Sequence, residues 1–230
     1  MIEQINNYIF DERFYTKMID GERIYQPSVT YVLGEAYPMG YGLMQWKGDV
    51  GNKRAQEIME EAGAEGTYVH NAIEELITGH TVETAEINER FKPKSALKIH
   101  RCLKAFLDWW AEVKPEIIAH EFAVWDGRGF AGTVDLHCKI GDEEWIVDYK
   151  TSNSIQDKHR VQVAAYGAAL NVNNRALLHL GNKTKKRWSF LAAQDKHEQQ
   201  WWDTLKLFQT LNPNAKPSSE TFPDEYKLTK

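Results

Sequence analysis

The segment spanning residues 117–149 constrains the fold most, because it contains three consecutive runs rich in β-branched and aromatic residues. Two turn sequences, Asp126-Gly127-Arg128-Gly129 and Gly141-Asp142, separate these runs. Strand-forming runs joined by glycine-containing turns are typical of antiparallel hairpins. The predicted strands cover Ile117–Trp125, Phe130–Ile140 and Glu144–Tyr149. The sequence therefore predicts a hairpin-connected β unit in the middle of the chain.

Helical periodicity flanks this unit on both sides, which indicates an α/β domain. Before the unit, helices are predicted over Leu43–Ala62, Thr67–Thr78 and Ser95–Val113, with a break at Gly63–Gly66. After it, the expected elements are a helix over Gln156–Leu170, strands over Arg175–Leu180 and Lys186–Leu191, and a helix over Lys196–Thr210. The core face of the third helix is predicted to hold Leu97, Cys102, Leu103, Phe106 and Trp110.

These elements predict a central mixed, mainly antiparallel β-sheet flanked by helices, preceded by a helical N-terminal segment. The length of 230 residues corresponds to one large domain. Its expected parts are an N-terminal helical extension (1–65), a core (66–212) and a C-terminal tail (213–230). Residues 1–26 show no clear pattern, whereas Pro27–Thr30 predicts a turn into a short helix with Ser28 as N-cap.

Composition excludes several classes of protein. The 28 basic and 33 acidic residues give a formal net charge of −5, which argues mildly against a nucleic-acid partner. No apolar run approaches the roughly 18–20 residues of a membrane span, and the N-terminus lacks the features of a secretion signal. The two cysteines, Cys102 and Cys138, are too few for a disulfide scaffold or a four-cysteine zinc or iron–sulfur site. A cytoplasmic location is therefore expected.

Acidic and basic side chains recur on two of the predicted central strands. Asp135 lies in the middle of one strand, and Asp148 and Lys150 lie two residues apart on the next. The two-residue period of a strand places Asp148 and Lys150 on one face, and hairpin pairing lets Asp135 approach Asp148. Buried acids need a counter-charge. A divalent cation that accepts oxygen ligands, Mg²⁺ or Mn²⁺, would supply it.

Two further motifs lie on predicted helices. The sequence Gly66-Thr67-Tyr68-Val69-His70 opens one helix, with Glu74 one turn further on. Gln162 and Tyr166 are four residues apart on another helix, so both side chains share one face.

In this order, the histidine motif, Asp135, the Asp148–Lys150 pair and the Gln162–Tyr166 helix resemble the PD-(D/E)XK nuclease superfamily, and in particular its RecB-like exonuclease branch. The earlier sequences Gln26-Pro27-Ser28-Val29-Thr30 and Leu43-Met44-Gln45-Trp46-Lys47 are similar to those of phage-type exonucleases and the mitochondrial genome maintenance exonuclease. The resemblance implies a restriction-endonuclease-like core and metal-dependent phosphodiester hydrolysis. Since some RecB-like relatives bind an iron–sulfur cluster through four cysteines, the two cysteines here indicate a member without the cluster.

The resemblance also implies a role for each matching residue. It implies that His70, Asp135 and Asp148 ligate Mg²⁺ or Mn²⁺ together with a backbone carbonyl such as that of Tyr149, and a histidine ligand shifts the preference toward Mn²⁺. Lys150 would position or help to deprotonate the attacking water. Gln162 and Tyr166 would contact the substrate phosphate and support Lys150, with Glu121 and Glu74 as possible additional site residues.

Each of these residues also has a purely structural interpretation. Asp148 and Lys150 alone would fit a surface ion pair, and His70 a helix-surface or core histidine. Glu121 would fit an exposed strand carboxylate, and Glu74 a charge on a solvated helix face. The Gln162–Tyr166 pair would fit a polar rim on a packed helix.

The distribution of basic residues weakens the objection raised by net charge. Six bases and no acid lie between Arg90 and Lys104, and four of the five residues from Lys183 to Arg187 are basic. Such runs favour contact with a phosphate backbone. The candidate nucleic-acid-binding residues are Ser28, Thr30, Lys98, Arg101, Thr151, Lys185 and Arg187.

The expected function is that of a metal-dependent DNA exonuclease acting on single-stranded ends, in phage or bacterial replication, recombination or repair. One alternative is a structure-selective endonuclease of the same fold, which would also cut closed circular DNA. Another is a non-catalytic nucleic-acid-binding module with a degraded site. A third is a metal-independent glycosidase that uses Asp135 and Asp148 as its acid and base.

Overall fold

The computed structural model describes residues 1–7, 12–37 and 39–218. These residues form two β-sheets and seven helices. In chain order the elements are β1 (Ile2–Asn7), β2 (Glu12–Ile19), β3 (Glu22–Pro27), α1 (Val29–Ala36), α2 (Tyr41–Val50), α3 (Asn52–Ile77), α4 (Thr84–Arg90), α5 (Pro93–Val113), β4 (Glu116–Asp126), β5 (Phe130–Ile140), β6 (Glu143–Lys150), α6 (Asp157–Leu170), β7 (Asn174–Leu180), β8 (Trp188–Ala192) and α7 (Asp195–Leu211).

The larger sheet has five strands in the order β4-β5-β6-β7-β8. Its neighbours pair antiparallel except β6 and β7, which are parallel and joined by the crossover helix α6. The mixed, mainly antiparallel sheet predicted from the strand runs is therefore confirmed. In the pairing of β5 with β6, Leu136 lies opposite Val147, so Asp135 and Asp148 are neighbours across the two strands.

Helices cover both faces of this sheet. On one face, α3 and α5 contribute Ile73, Phe106 and Trp109 to a core that also contains Tyr149 of β6. On the other face, α1, α6 and α7 pack over a second core, in which the rings of Phe130 and Trp201 meet edge to face with centroids 4.9 Å apart. The sheet flanked by helices is thus confirmed, and burial on both faces explains its nearly continuous apolar strands. None of the helices in the described ranges is long and apolar enough to cross a membrane.

The predicted N-terminal helical extension needs a correction, because its helices begin only at Val29. Before that residue, β1, β2 and β3 form an antiparallel meander. Asp20 and Gly21 turn the chain between β2 and β3 with φ values of 50° and 85°. Positive φ at both central residues of a two-residue hairpin favours an Asp-Gly pair, so this dipeptide is the signal that points to the hairpin.

The break predicted at Gly63–Gly66 is also wrong, since α3 runs without interruption from Asn52 to Ile77. A glycine inside a helix costs only about 1 kcal/mol relative to alanine, and α3 offsets this cost by burying residues such as Tyr68 and Ile73. The expected boundary between residues 65 and 66 consequently lies within a continuous helix. Thr84–Arg90 forms α4, which the sequence analysis missed.

The core face of α5 and the C-terminal tail agree with the sequence predictions only in part. Leu97 is 49% exposed and does not join the core, whereas Cys102, Leu103 and Phe106 on the same helix are buried as predicted. The first part of the C-terminal tail contacts the N-terminal sheet, because the Ser218 backbone N–H donates to a carboxylate oxygen of Glu12 (2.8 Å). Residues 219–230 of the predicted tail lie outside the described residues.

Candidate active site

A cleft of about 310 Å³ opens beyond the C-terminal end of β6, and α1, α3 and α6 contribute to its walls. A parallel pair of strands ends at this edge of the sheet, a position where α/β folds commonly bind ligands. The residues that line the cleft are Thr30, Leu33, Gly34, His70, Tyr149, Lys150, Thr151, Ser152, Lys158, His159 and Gln162. They include His70, Lys150 and Gln162, which the sequence patterns had selected.

Asp135 and Asp148 are buried beside this cleft, only 8% and 1% exposed. One oxygen of Asp135, Oδ2, accepts a hydrogen bond from the backbone N–H of Tyr149 (2.7 Å). The Asp148 carboxylate lies on the same strand face as Lys150, whose Nζ is 2.6 Å from Asp148 Oδ2. The expected proximity of Asp135, Asp148 and Lys150 is therefore present in the structure.

Glu121 enters the site through an unusual backbone conformation. It lies on β4 between His120 and Phe122, which pair with Leu136 and Val134, so it is across from Asp135. Its φ is 42°, in the left-handed region that non-glycine residues rarely occupy. Strained backbone of this kind persists where surrounding structure holds it, often at functional sites.

The His70 imidazole lies close to the carboxylates of both Glu121 and Asp135. Its Nδ1 is 3.5 Å from Asp135 Oδ1 and 4.0 Å from Glu121 Oε1. Its Nε2 is 3.2 Å from the carbonyl oxygen of Tyr149, to which a protonated Nε2 donates. One potential ligand atom from each of His70, Glu121 and Asp135 lies within 4.8 Å of the others.

This donor set fits a divalent cation. Carboxylate oxygens suit Mg²⁺ and Mn²⁺, and an imidazole nitrogen suits transition metals better than Mg²⁺. Asp148, expected as a ligand with His70 and Asp135, contacts Lys150 and Gln162, and Glu121 lies with His70 and Asp135 in the group. The ligand roles of these residues remain predictions.

Mutual proximity shifts the pKa values of these groups. Burial, reinforced by the Asp135 charge, raises the pKa of Glu121 to about 7. Burial also raises the pKa of Asp148 to about 6, although the Lys150 ammonium opposes the shift. Burial lowers the pKa of His70, but the Asp135 carboxylate outweighs it and brings the value to about 9. Burial likewise opposes ionisation of Asp135, yet His70 holds its pKa below the usual range.

Gln162 and Tyr166 of α6 support the Lys150–Asp148 pair. Gln162 Oε1 accepts a hydrogen bond from Lys150 Nζ (3.1 Å), and its Nε2 donates to Asp148 Oδ1 (3.1 Å) and to the Tyr166 hydroxyl (3.2 Å). Tyr166 is buried at 3% exposure, so it is not part of a solvated rim. Its ring lies directly against Gly132 of β5, where an added Cβ would be 2.6 Å from Tyr166 Cε1.

The remaining predicted residues lie at varying distances from the site. Glu74 forms no ion pair with His70, Glu121 or Asp135, and its charge contributes to the raised pKa of Glu121. Ser28 is buried and caps α1, as expected, by accepting from the Tyr31 N–H (3.0 Å). Thr30 and Thr151 line the cleft.

The basic candidates lie elsewhere. Lys98 forms an ion pair with Glu65 (2.7 Å), and Arg101, Lys185 and Arg187 line a separate groove.

The cleft wall also contains Ser152, Lys158 and His159, which the sequence motifs did not predict. A signal for two of them was present, because Lys158 and His159 precede Gln162 by four and three residues on α6. Side chains at these spacings share a helix face. The face that carries Gln162 toward the active site therefore also carries Lys158 and His159.

A model of the PD-(D/E)XK nuclease superfamily matches residues 45–215, which include His70, Glu121, Asp135, Asp148, Lys150, Gln162 and Tyr166. The chain belongs to this superfamily. Membership in this nuclease superfamily supports nuclease activity, whereas the RecB-like branch remains a prediction from the motifs.

Two solved structures are similar to this member of the superfamily. One is the crystal structure of an alkaline exonuclease, LHK-Exo, from Laribacter hongkongensis, with 9% identity, a TM-score of 0.41, and coverage of 81% of this chain and 87% of that chain. The other is that of SSO0001, with 12% identity, a TM-score of 0.32, and coverage of 62% and 85%. No curated protein matches the sequence. The superfamily assignment therefore rests on the family match.

Proposed function

We propose that this protein is a metal-dependent DNA exonuclease that hydrolyses phosphodiester bonds at single-stranded ends. One observation carries the proposal: a cluster of imidazole and carboxylates and a lysine held by Asp148 and Gln162 meet at one cleft. Each group alone has a structural interpretation. Their convergence at the end of a parallel strand pair supplies the parts that phosphodiester hydrolysis requires.

The residues that would hold the cation are His70, Glu121 and Asp135, with Asp148 beside them. When bound, Mg²⁺ or Mn²⁺ would polarise the scissile phosphate and lower the pKa of a water molecule. The imidazole ligand favours Mn²⁺ relative to an all-oxygen site.

Lys150 is the group of this chain that would act on the phosphate. Its side chain is 17% exposed and lines the cleft, and contacts with Asp148 and Gln162 hold its ammonium in place. A preorganised positive charge stabilises the negative charge that develops during attack on phosphorus. Lys150 would also orient the attacking water and assist removal of its proton. Gln162 and Tyr166 would act as positioning residues behind it.

The substrate and biological setting are the finer parts of the proposal. Sequence resemblance to phage-type exonucleases supports single-stranded DNA ends as the substrate and phage or bacterial replication, recombination or repair as the setting.

The test uses linear single-stranded DNA labelled at its 5′ or 3′ end and the same sequence as a closed circle. We expect Mg²⁺ or Mn²⁺ to support degradation of the linear DNA, EDTA to prevent it, and the circle to survive. Cleavage of the circle would replace the exonuclease with an endonuclease. Absence of metal-dependent products from any substrate would contradict nuclease activity at this site.

A further inference from the structure

A second concave surface, here called the basic groove, has a volume of about 400 Å³ and lies between α5 and the segment joining β7 to β8. It brings together the two basic runs of the sequence, which are about 80 residues apart in the chain. The side chains that give the groove its character are Arg101, Lys104, Lys185, Lys186, Arg187 and Trp188.

Two acids in the groove compensate only part of its positive charge. Asp108 forms an ion pair with Lys104 (2.9 Å), and Glu112 forms one with Lys186. The exposed Arg101, Lys185 and Arg187 form no ion pair within the described part of the chain. The groove therefore retains three exposed cations whose charge is available to a ligand.

The segment that forms one wall of the groove leaves the large sheet at the edge where the active-site cleft lies. Lys150, at the end of β6, is in register with His179 near the end of β7. The chain leaves β7 after Leu180 and enters the groove segment at once. Gly181 holds that segment against α5, because a Cβ at this position would be 2.7 Å from Cys102 Sγ.

A row of contacts connects the two surfaces. Beside the cleft, a Cβ on Gly66 would lie 3.3 Å from Thr151 Oγ1, so α3 passes close to the end of β6. The adjacent Glu65 is buried and paired with Lys98 of α5. Lys98 precedes Arg101 by three residues, which is nearly one helical turn. Because Lys98 is paired with Glu65, the charge of this acid is compensated.

We propose that the basic groove binds the sugar-phosphate backbone of the DNA strand, away from the nucleotide that occupies the active site. The inference deepens the proposed function and rests on it for the identity of the ligand. Separated, exposed cations on two elements match a polymer with repeated phosphates better than one small anion, which would need a compact set of buried donors. Binding through phosphates carries no sequence preference.

The test compares two triple variants with the same change in net charge. The groove variant carries Arg101→Ala, Lys185→Ala and Arg187→Ala, and the control carries Lys196→Ala, Lys206→Ala and Lys216→Ala. The control lysines are exposed and lie on or just after α7, which packs on the opposite face of the sheet from α5. Fluorescence anisotropy in EDTA measures binding of single-stranded oligo(dT) of four and twenty nucleotides over a range of salt concentrations.

We expect the groove variant to bind the longer oligonucleotide at least about tenfold more weakly at low salt. The slope of log K against log salt should become less negative by about 2, since each lost phosphate contact on a single strand removes about 0.7. The gain in affinity from four to twenty nucleotides should shrink. The control variant should retain the wild-type affinity and slope.

Wild-type affinity and slope in the groove variant, or equal losses in the control, would overturn the proposal. Failure of the wild type to bind either oligonucleotide at low salt would overturn it as well. Because the assay involves no cleavage, it separates the two proposals. If the groove substitutions weaken DNA binding but the wild type shows no metal-dependent cleavage, only the proposed function is contradicted. If the wild type cleaves DNA but the groove substitutions leave its DNA affinity unchanged, only this inference is contradicted.

Discussion

At the scale of single residues, Glu121 distinguishes this site from a simple pair of strand carboxylates. A left-handed backbone conformation directs its side chain toward His70 and Asp135. The energetic cost of such a conformation is about 1–3 kcal/mol. We infer that this strained conformation brings a third potential ligand to the proposed cation site.

Replacement Glu121→Gln should therefore lower the affinity for Mn²⁺ by at least about tenfold, because a neutral amide replaces a charged oxygen ligand. Isothermal titration calorimetry on the metal-free protein measures the change. Glu75→Gln, on an exposed position of α3, is the matched control and should bind Mn²⁺ like the wild type. Unchanged affinity in the Glu121 variant would exclude the residue from the metal site.

The sequence allows part of this site to be predicted. Strand alternation and hairpin pairing place Asp135, Asp148 and Lys150 together, because these rules depend only on residue spacing. The grouping of Glu121 with His70 depends on one backbone angle and on the docking of α3 against the sheet. Neither leaves a local pattern, so the sequence supports Glu121 only as an additional candidate.

At the scale of elements, the contact between α6 and β5 sets the position of the residues behind Lys150. The Tyr166 ring occupies the space above Gly132 that a side chain would fill. Tyr166 in turn accepts a hydrogen bond from Gln162, which contacts Lys150. The packing around one glycine therefore affects the position of Lys150 through Tyr166 and Gln162.

Gly132→Ala should lower the free energy of unfolding by about 1–3 kcal/mol, the usual cost of overpacking a core. It should also slow DNA cleavage, because displacement of Tyr166 moves Gln162. Urea denaturation and a cleavage assay measure the two effects. Gly127→Ala serves as the control, since nothing lies within 4 Å of a Cβ there. If both variants matched the wild type, the packing argument would fail.

The β4–β5 hairpin provides a pH-dependent test. Asp126 accepts hydrogen bonds from the Arg128 backbone N–H (2.7 Å) and from its Nε (2.8 Å), and the guanidinium lies 3.9 Å from the Trp202 ring centroid. Burial opposes ionisation of Asp126, but the bonds from Arg128 hold its pKa below the usual range.

A lowered pKa in the folded state means that this stabilisation is complete above the ordinary value of about 4 and is lost as the pH falls through the folded value. Because Arg128 is half exposed, Asp126→Asn should cost only about 1 kcal/mol at pH 7. The difference from the wild type, measured by urea unfolding, should shrink below pH 4. A difference that stays constant or grows on acidification would contradict the account.

The elements differ in how far the sequence predicts them. The central strands and the helices α5, α6 and α7 are predicted closely because each has a clear apolar pattern, and Pro115 and the glycine-containing turns mark several of their ends. The N-terminal sheet is missed because its short strands carry mixed polarity and depend on docking to β5, where the Tyr15 hydroxyl is 2.8 Å from Thr133 Oγ1. The continuity of α3 is missed because tertiary packing outweighs the low helix propensity of Gly63 and Gly66.

At the scale of the whole molecule, the placement of charge matters more than the net charge of −5. Buried acids concentrate at the cleft, where a cation would offset them. Bases from two distant segments form the separate basic groove. The net charge of the sequence cannot show this separation of acidic and basic residues, because the basic groove forms only when α5 and the β7–β8 segment pack together. The fold thus creates an acidic site and a basic surface in a chain with a negative total.

The central claim is that Lys150 and the potential metal ligands His70, Glu121 and Asp135 form a nuclease centre. Its most direct test is the single-turnover cleavage rate of end-labelled linear single-stranded DNA with Mn²⁺ or EDTA, for the wild type, Lys150→Ala and the surface control Lys206→Ala. Far-UV circular dichroism and urea unfolding verify that each variant is folded.

The account predicts Mn²⁺-dependent cleavage by the wild type and by Lys206→Ala. Cleavage should be about 100- to 1,000-fold slower in Lys150→Ala, the loss typical when one preorganised donor of transition-state stabilisation is removed. Equal rates in EDTA, or a folded Lys150→Ala protein that cleaves at the wild-type rate, would contradict it.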